Sequence, residues 1–238
     1  MNFPLAIFLD LDDTILAFTE VADDCWKSLC RRYADALPGV TPEALYAALL
    51  QSREWFWADP ERHRVGRNDL QLARRRIVQR AFEHHGIDAP EIAWQLADAY
   101  TSERETLVRP FPGAIETLQE LHRRGVQLAL LTNGAAGFQR AKIDRFGIEQ
   151  YFHCIVVEGE FGVGKPDNAV FAYALQVLNR APQEVWMVGD HLAHDIAPAL
   201  ALGMQGIWVD YARTGLPKTA PCVPSRIIGA LTELLRGE

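Results

Sequence analysis

The sequence is poor in three features that point to particular protein classes: paired cysteines, long hydrophobic runs and excess positive charge. Its four cysteines (Cys25, Cys30, Cys154 and Cys222) form no CxxC pair. We therefore expect reduced, mostly buried thiols rather than a zinc site or a disulfide framework. No apolar stretch approaches the length of a membrane span. Lysine and arginine number 24 against 31 aspartates and glutamates, and the net charge of −7 argues against a nucleic-acid partner.

What remains is the composition of an ordinary globular protein. The 238 residues are 49% hydrophobic and 23% charged, which excludes a disordered or fibrous chain, and the length suits one large core with an insertion. The apolar run from Phe3 to Leu9 lacks a basic leader and ends in a cluster of aspartates, unlike a signal peptide. We expect a cytoplasmic protein with no membrane partner, and either a monomer or a homodimer suits such a chain.

Five short apolar runs predict buried strands, because each is too short for a helix and is bounded by polar residues. They span residues 5–10, 127–133, 153–159, 184–190 and 205–210. Helical patterns separate them, and this alternation predicts an α/β fold with a doubly wound parallel sheet. Residues 225–236 read as a marginal edge strand running into a final helix.

A long helical segment lies between the first and second predicted strands. Thr41 and Pro42 supply an N-cap and a first helical position, and further helices fit residues 68–85 and 90–106. Residues 109–113 (Arg-Pro-Phe-Pro-Gly) cannot continue a helix, so we place the return to the sheet there. The run Arg74–Arg76 is expected to solvate a helix surface.

The first polar motif, Asp10-Leu11-Asp12-Asp13-Thr14, directly follows the first predicted strand. Two carboxylates one residue apart can act as nucleophile and proton-transfer group, although helix capping or a solvated loop explains such residues equally well. An EF-hand calcium loop is excluded, since its spacing needs a ligand, a glycine and a glutamate at positions that carry other residues here.

The second motif, Thr132-Asn133-Gly134, ends the second predicted strand. A hydroxyl and free backbone N–H groups at that point could hold phosphate oxygens, whereas an ordinary turn is the simpler interpretation. The motif alone does not decide between them.

The third motif, residues 159–166, nearly spells the phosphate-binding P-loop of nucleotide triphosphatases. Its last residue, Pro166, offers neither the hydroxyl nor the N–H that the loop needs, so that function is rejected. Lys165 can still serve as a fixed positive charge, the alternative being a surface lysine before a helix that begins at Pro166.

The fourth motif, residues 189–195 (Gly-Asp-His-Leu-Ala-His-Asp), follows another predicted strand. Its His194-Asp195 pair resembles the dyad of helical HD-type phosphohydrolases, but the strand context favours oxygen ligation of magnesium by Asp190. We interpret His191 and His194 as loop residues lining the rim.

All four motifs lie at the carboxyl ends of predicted parallel strands, where open α/β sheets bind ligands. In this order and context the sequence resembles the haloacid dehalogenase superfamily over essentially its whole length. The helical insertion is similar to the cap of phosphoglycolate phosphatases, nucleotidases and dehalogenases. The resemblance implies a Rossmann-like catalytic core of residues 1–16 and 107–238, and a small all-α cap of residues 17–106.

The resemblance also implies a magnesium-dependent phosphatase acting on a small phosphorylated metabolite. Asp10 would form an aspartyl-phosphate and Asp12 would transfer protons. Thr132, the N–H of Asn133 and Lys165 would hold the phosphoryl group. Asp10, the carbonyl of Asp12 and Asp190 would bind Mg²⁺. Asp195 would support either the water shell of the metal or the side chain of Lys165.

Several alternatives stay open within this resemblance. A dehalogenase is disfavoured by Asp12, since halide leaves without a proton. A phosphomutase would move phosphate between sugar hydroxyls, and a phosphonatase would need a cap lysine, for which only the surface-like Lys27 is present. A noncatalytic binding protein would have lost a motif residue, and none is lost. Residues 55–57 and 62–64 are candidates for substrate contact in the cap, although packing of the tryptophans is favoured.

Overall fold

The structure is a computed structural model that describes residues 3–66 and 69–236. The chain forms two compact units. The first includes the chain up to Ala17 and resumes at Arg109; the second, which we call the helical unit, is Phe18–Val108. None of the helices in the described ranges is long and apolar enough to cross a membrane.

Six strands form one parallel sheet and two short strands form an antiparallel pair. The eight strands are β1 (Ala6–Leu9), β2 (Leu16–Ala17), β3 (Arg109–Pro110), β4 (Gln127–Thr132), β5 (Cys154–Val157), β6 (Val185–Gly189), β7 (Gln205–Val209) and β8 (Arg226–Ile228). The large sheet has the order β5-β4-β1-β6-β7-β8, and β2 pairs with β3.

Side chains on both faces of the central strand are fully buried. Ala6 and Phe8 point to one face of β1 while Ile7 and Leu9 point to the other, and all four have no exposed surface. This two-sided burial is the reason that the strands read as unbroken apolar runs, and it confirms the prediction of a doubly wound parallel sheet.

The helices alternate with the strands in the first unit and follow one another in the second. They are α1 (Glu20–Ala34), α2 (Pro42–Ala58), α3 (Pro60–Gly66), α4 (Leu70–His84), α5 (Pro90–Leu107), α6 (Ala114–Arg123), α7 (Ala136–Arg145), α8 (Glu158–Phe161), α9 (Asn168–Leu178) and α10 (Ala197–Ala201). Single turns of 3₁₀ or π helix occupy Glu149–Tyr151, Pro182–Glu184, Leu192–Ile196 and Leu231–Leu235. The last of these follows edge strand β8, where a final helix was predicted.

The helical unit has an apolar core of its own, in which the rings of Trp26 and Tyr100 stack with centroids 3.6 Å apart. Thr41 caps α2 as predicted, because its hydroxyl accepts a hydrogen bond from the N–H of Ala44 at 3.2 Å. Asn68, where we predicted a helix to begin, lies outside the described residues, and that helix is described from Leu70.

The prediction that residues 74–76 solvate a helix surface is wrong for Arg74. Arg74 is only 5% exposed and its guanidinium lies 5.3 Å from the ring centroid of Tyr100. It lies on the stripe of α4 that also carries Val78 and Phe82, four and eight residues later, and this stripe faces the core. The triplet therefore straddles the boundary between a buried and a solvated face.

Candidate active site

Asp10 occupies the carboxyl end of β1, at the point where the order of the sheet reverses. The chain places β4 on one side of β1 and β6 on the other, which leaves a crevice at the carboxyl ends of the strands. The backbone N–H of Asp10 donates to the carbonyl of Val188 on β6 at 3.0 Å. The backbone of Asp10 is thus fixed at the switch point of the sheet, and the residue is 7% exposed.

Lys165 lies between two carboxylates in the interior of this site. Its Nζ is 2.7 Å from Oδ1 of Asp10 and 2.5 Å from Oδ1 of Asp195, and the residue is 2% exposed. Burial opposes its charge, but Asp10 and Asp195 outweigh that effect and raise the pKa of the ammonium group. The surface-lysine alternative is therefore wrong, and α9 begins at Asn168 instead of Pro166.

The backbone of Lys165 is held by the side chain of Asn133. The amide Nδ2 donates to the carbonyl of Lys165 at 2.7 Å, and Oδ1 accepts from its N–H at 2.8 Å. A Cβ at Gly164 would lie 2.7 Å from both Asn133 Oδ1 and the carboxyl carbon of Glu158. The turn after β4 thereby fixes the position of a lysine more than thirty residues later in the chain.

Asp10, Asp190 and Asp195 form a cluster whose carboxylate oxygens lie within 4.8 Å of one another. Burial, reinforced by Asp195 and Asp12 and opposed by Lys165, raises the pKa of Asp10 to about 7. Burial and the nearby Asp10 raise the pKa of Asp190 to about 9. One lysine does not neutralise three carboxylates, so the cluster favours a further cation.

Backbone and side-chain contacts orient the two later aspartates. The N–H of Asp190 donates to Oγ1 of Thr14 at 3.1 Å, and its carbonyl accepts from Nε1 of Trp208 at 2.7 Å. Oδ2 of Asp195 accepts from the N–H of His191 at 3.1 Å. A Cβ on Gly189 would overlap the Asp195 carboxylate, so glycine is required for this approach. The rings of His191 and His194 stack on each other in the same loop, 4.0 Å apart.

Asp12 contacts two residues of α7 that sequence reasoning did not single out. Lys142 Nζ lies 2.6 Å from each Asp12 carboxylate oxygen, and Gln139 Nε2 donates to Oδ2 at 3.0 Å. Their spacing of three residues on the first helix after the Thr132 turn places both on one helix face. That spacing was the available sequence signal, but it does not reveal which partner the face meets.

The Thr132 turn is also organised by Gln139, which is 2% exposed. Gln139 Nε2 donates to Thr132 Oγ1 at 2.5 Å and to the carbonyl of Asn133 at 2.8 Å. The expectation of free backbone N–H groups is wrong for Gly134, whose N–H donates to Glu158 Oε2 at 3.0 Å. Asp13 adopts a left-handed φ of 61°, a conformation that aspartate tolerates better than most residues other than glycine.

Of the substrate-contact candidates in the helical unit, Trp55, Phe56 and Trp57 pack in or against its core, as favoured for the tryptophans, whereas the Arg64 side chain is 64% exposed. The guanidinium groups of Arg62 and Arg80 lie 3.9 and 4.0 Å from the ring centroid of Trp55. Arg62 also donates to the carbonyl of Trp55 at 2.7 Å, and Trp57 packs against the same core. Lys27 is a surface residue, with its side chain 50% exposed beside Asp24.

Comparison with known proteins adds to this geometry. The model of the family described as haloacid dehalogenase-like hydrolase matches residues 4–203. The chain is 33% identical to phosphoserine phosphatase of Thermus thermophilus, over 98% of each chain. It is 33% identical to phosphoglycolate phosphatase of Pseudomonas putida, over 99% of this chain and 80% of that protein.

A solved structure supports the fold. The magnesium-bound hydrolase YfnB from Bacillus subtilis superposes with a TM-score of 0.72 at 21% identity, covering 96% of each chain. Because the family model spans most of the sequence and both curated relatives are phosphatases, the chain belongs to the haloacid dehalogenase-like hydrolases, as a phosphatase among them.

Proposed function

We propose that this phosphatase hydrolyses a small phosphorylated metabolite through an aspartyl-phosphate on Asp10, with Mg²⁺ as its cofactor. The observation that carries the proposal is the buried ammonium of Lys165 between Asp10 and Asp195, inside a cluster of three carboxylates. A carboxylate so placed at the switch point of a parallel sheet has a fixed position and a cation beside it. Both are needed for a nucleophile that approaches a phosphate.

Charge repulsion is the main barrier that the site must lower. Two unit negative charges 4 Å apart repel by about 4 kcal/mol at an effective dielectric near 20, which corresponds to about a thousandfold in rate. Lys165 lies 2.7 Å from the proposed nucleophile and offsets part of this repulsion. The same charge stabilises the phosphoryl oxygens as Asp10 attacks phosphorus.

The donor set of the acidic cluster fits Mg²⁺. Carboxylate oxygens are the ligands that Mg²⁺ prefers, and Asp10 and Asp190 present them within 4.8 Å of each other. We assign the cation to Asp10, the carbonyl of Asp12 and Asp190, with Asp195 holding Lys165. When bound, Mg²⁺ would supply positive charge against the phosphoryl oxygens. The Bacillus subtilis hydrolase of the same fold is described as bound to magnesium, which agrees with the choice of this cation.

Asp12 would transfer protons in both halves of the reaction. As Asp10 bonds to phosphorus, the bond from phosphorus to the leaving oxygen breaks and that oxygen takes a proton from Asp12. Water then attacks the aspartyl-phosphate and gives a proton back to Asp12, which releases phosphate and restores Asp10. Expulsion of halide needs no such acid, so the presence of Asp12 favours phosphatase over dehalogenase chemistry.

Thr132 and Asn133 would hold the phosphoryl group. Gln139 donates to the Thr132 hydroxyl oxygen, so the hydroxyl hydrogen can be donated in turn to a phosphoryl oxygen. The Asn133 side chain is engaged with Lys165, which leaves its backbone N–H as the group for the phosphate.

The division of labour between the two units is part of the same proposal. We assign catalysis to residues 1–16 and 107–238, and selection of the metabolite to residues 17–106. The names of curated relatives, which include phosphoserine, phosphoglycolate and glyceraldehyde 3-phosphate phosphatases and a pyrimidine 5'-nucleotidase, support a small phosphomonoester. The cytoplasmic location and the monomeric or dimeric state stay predictions.

The direct test is phosphate release from a panel of phosphorylated metabolites by the wild-type protein and the Asp10→Asn variant. We expect turnover that chelator abolishes and that Asp10→Asn lowers by at least about a thousandfold. Trapping the phosphorylated protein with acid after a short exposure to labelled substrate should place the label on Asp10. Activity that persists in excess chelator, or in Asp10→Asn, would contradict the proposal.

A further inference from the structure

The carboxylate of Asp12 is held from α7 by two side chains. Lys142 Nζ contacts both carboxylate oxygens at 2.6 Å. The Lys142 side chain is 13% exposed and the Asp12 side chain is 22% exposed. Gln139 adds a hydrogen bond to Oδ2 at 3.0 Å. A charge-assisted contact of this length is among the stronger polar contacts that a partly buried carboxylate can make.

Gln139 cannot hold Asp12 by itself. Its Nε2 carries two hydrogens but lies within hydrogen-bond distance of three acceptors: Thr132 Oγ1 at 2.5 Å, the carbonyl of Asn133 at 2.8 Å and Asp12 Oδ2 at 3.0 Å. The two shorter contacts take most of its donor capacity. Lys142 is therefore the main restraint on the Asp12 carboxylate, and Gln139 links that restraint to the Thr132 turn.

The restraint acts on a side chain that starts from a loop. Asp12 lies between β1 and β2, followed by Asp13 with a left-handed φ of 61°. Helix α7 is anchored independently of Lys142, since Ile143 on the same helix has no exposed surface. A rigid helix thus reaches back to a loop residue 130 positions earlier in the chain.

We propose that Lys142 is a positioning residue that holds the Asp12 carboxylate where it can exchange a proton with the leaving oxygen and with the attacking water. This inference rests on the proposed function, since it gives Lys142 a role only through Asp12. It assigns no contact between Lys142 and the reacting atoms. Its consequences should therefore be confined to the steps in which Asp12 moves a proton.

Comparing two leaving groups separates the effect of proton transfer on the rate from all other effects of a substitution. An alkyl phosphate needs a proton on its departing oxygen, whereas p-nitrophenolate departs without one. In Lys142→Met, we expect kcat/KM to fall about 10- to 100-fold on an alkyl phosphate and to stay within about threefold on p-nitrophenyl phosphate. On the aryl ester kcat should still fall, with a burst of about one nitrophenolate per site, because hydrolysis of the aspartyl-phosphate needs Asp12 as base.

Four further variants make the assignment specific. Lys142→Arg, which can still donate to both oxygens, should recover part of the loss on the alkyl ester. Asp12→Asn should show the same selectivity, and Asp12→Asn/Lys142→Met should be no slower than Asp12→Asn, since residues that act as one unit are non-additive. Arg140→Met, a basic residue of the same helix, should leave both esters unaffected.

The outcomes are distinguishable. The alkyl phosphate is the best substrate of the metabolite panel, and a wild-type protein that is inactive on the whole panel and on p-nitrophenyl phosphate would overturn the proposed function and this inference with it. An active wild type in which Lys142→Met lowers kcat/KM equally on both esters, or adds fully to Asp12→Asn, would overturn the positioning role alone. A melting temperature for each variant shows whether it is folded. If Lys142→Met unfolds, Lys142→Gln carries the same comparison.

Discussion

Asn133 and Lys165 are joined by a reciprocal pair of hydrogen bonds, in which one side-chain amide satisfies both the N–H and the carbonyl of the lysine backbone. The pair connects the turn after β4 to the loop before α9. It fixes where the Lys165 ammonium emerges between Asp10 and Asp195. The neutral side chain of Asn133 thereby helps to determine the position of the central charge of the site.

Replacing Asn133 should lower both stability and activity. Asn133→Ala leaves two partly buried backbone groups without partners, so we expect the free energy of unfolding to fall by about 1–3 kcal/mol and kcat by at least about tenfold. Urea denaturation and steady-state kinetics measure the two effects. Asn168→Ala, at an exposed position at the start of α9, is the control. Wild-type kcat in Asn133→Ala would show that Lys165 is positioned by other contacts.

The effect of magnesium on stability should grow with pH. The pKa values of Asp10 and Asp190 are raised to about 7 and about 9 from an ordinary value of 3.8. Above the ordinary pKa, the folded protein keeps protons on these two carboxyl groups that the unfolded chain has released. The stability that they contribute at low pH is therefore lost as the pH rises through the raised pKa values. In chelator we expect the melting temperature to fall between pH 6 and pH 9, and Mg²⁺ to raise it more at pH 9.

Asp190→Asn is the control for that experiment. Asp190→Asn removes one carboxylate of the cluster. The melting temperature in chelator should therefore fall less between pH 6 and pH 9, and Mg²⁺ should raise it by less. A magnesium shift of the same size at pH 6 and pH 9, or none at either, would mean that the acidic cluster is not the metal site.

Gly189 should tolerate no side chain. A Cβ there would overlap the carboxylate of Asp195 and push it away from Lys165, so we expect Gly189→Ala to lower kcat at least tenfold and the free energy of unfolding by about 1–3 kcal/mol. Gly137 offers a matched control in helix α7. Among the described residues nothing lies within 4 Å of a Cβ at Gly137, so Gly137→Ala should be neutral or stabilise by up to about 1 kcal/mol. Equal behaviour of the two variants would refute the steric argument.

The buried charge of Arg74 is expected to lower the stability of the helical unit. It is 5% exposed, its Nη1 finds no hydrogen-bond partner within the described part of the chain, and burial and the nearby Arg104 lower its pKa to about 10. We expect Arg74→Met to raise the free energy of unfolding by about 1–2 kcal/mol in urea denaturation. Arg75→Met, which removes a surface pair with Asp98, should lower it by less than about 1 kcal/mol. Destabilisation by Arg74→Met would show that the contact of Arg74 with the Tyr100 ring outweighs the cost of burying its charge.

Much of the fold could be predicted because its signals are local. Unbroken apolar runs such as 5–10 and 127–133 identified buried strands, and Thr41 with Pro42 identified a helix start. The polar residues after the strands were expected to lie together, since carboxyl ends of parallel strands meet at one edge, and Asp10, Asp190 and Asp195 do so. Their roles in catalysis stay predictions. Arg74 was misjudged because a triplet of arginines has no internal sign of which member faces the core.

The sequence by itself determined the α/β class, the order of the elements and the polar residues at the ends of β1, β4 and β6, since these follow from hydrophobic periodicity along the chain. Only the tertiary structure decided which residues meet. Lys165 reaches Asp10 across 155 positions and Lys142 reaches Asp12 across 130. Both contacts depend on β4 lying beside β1, and strand order is set by packing between distant segments, which no local pattern records.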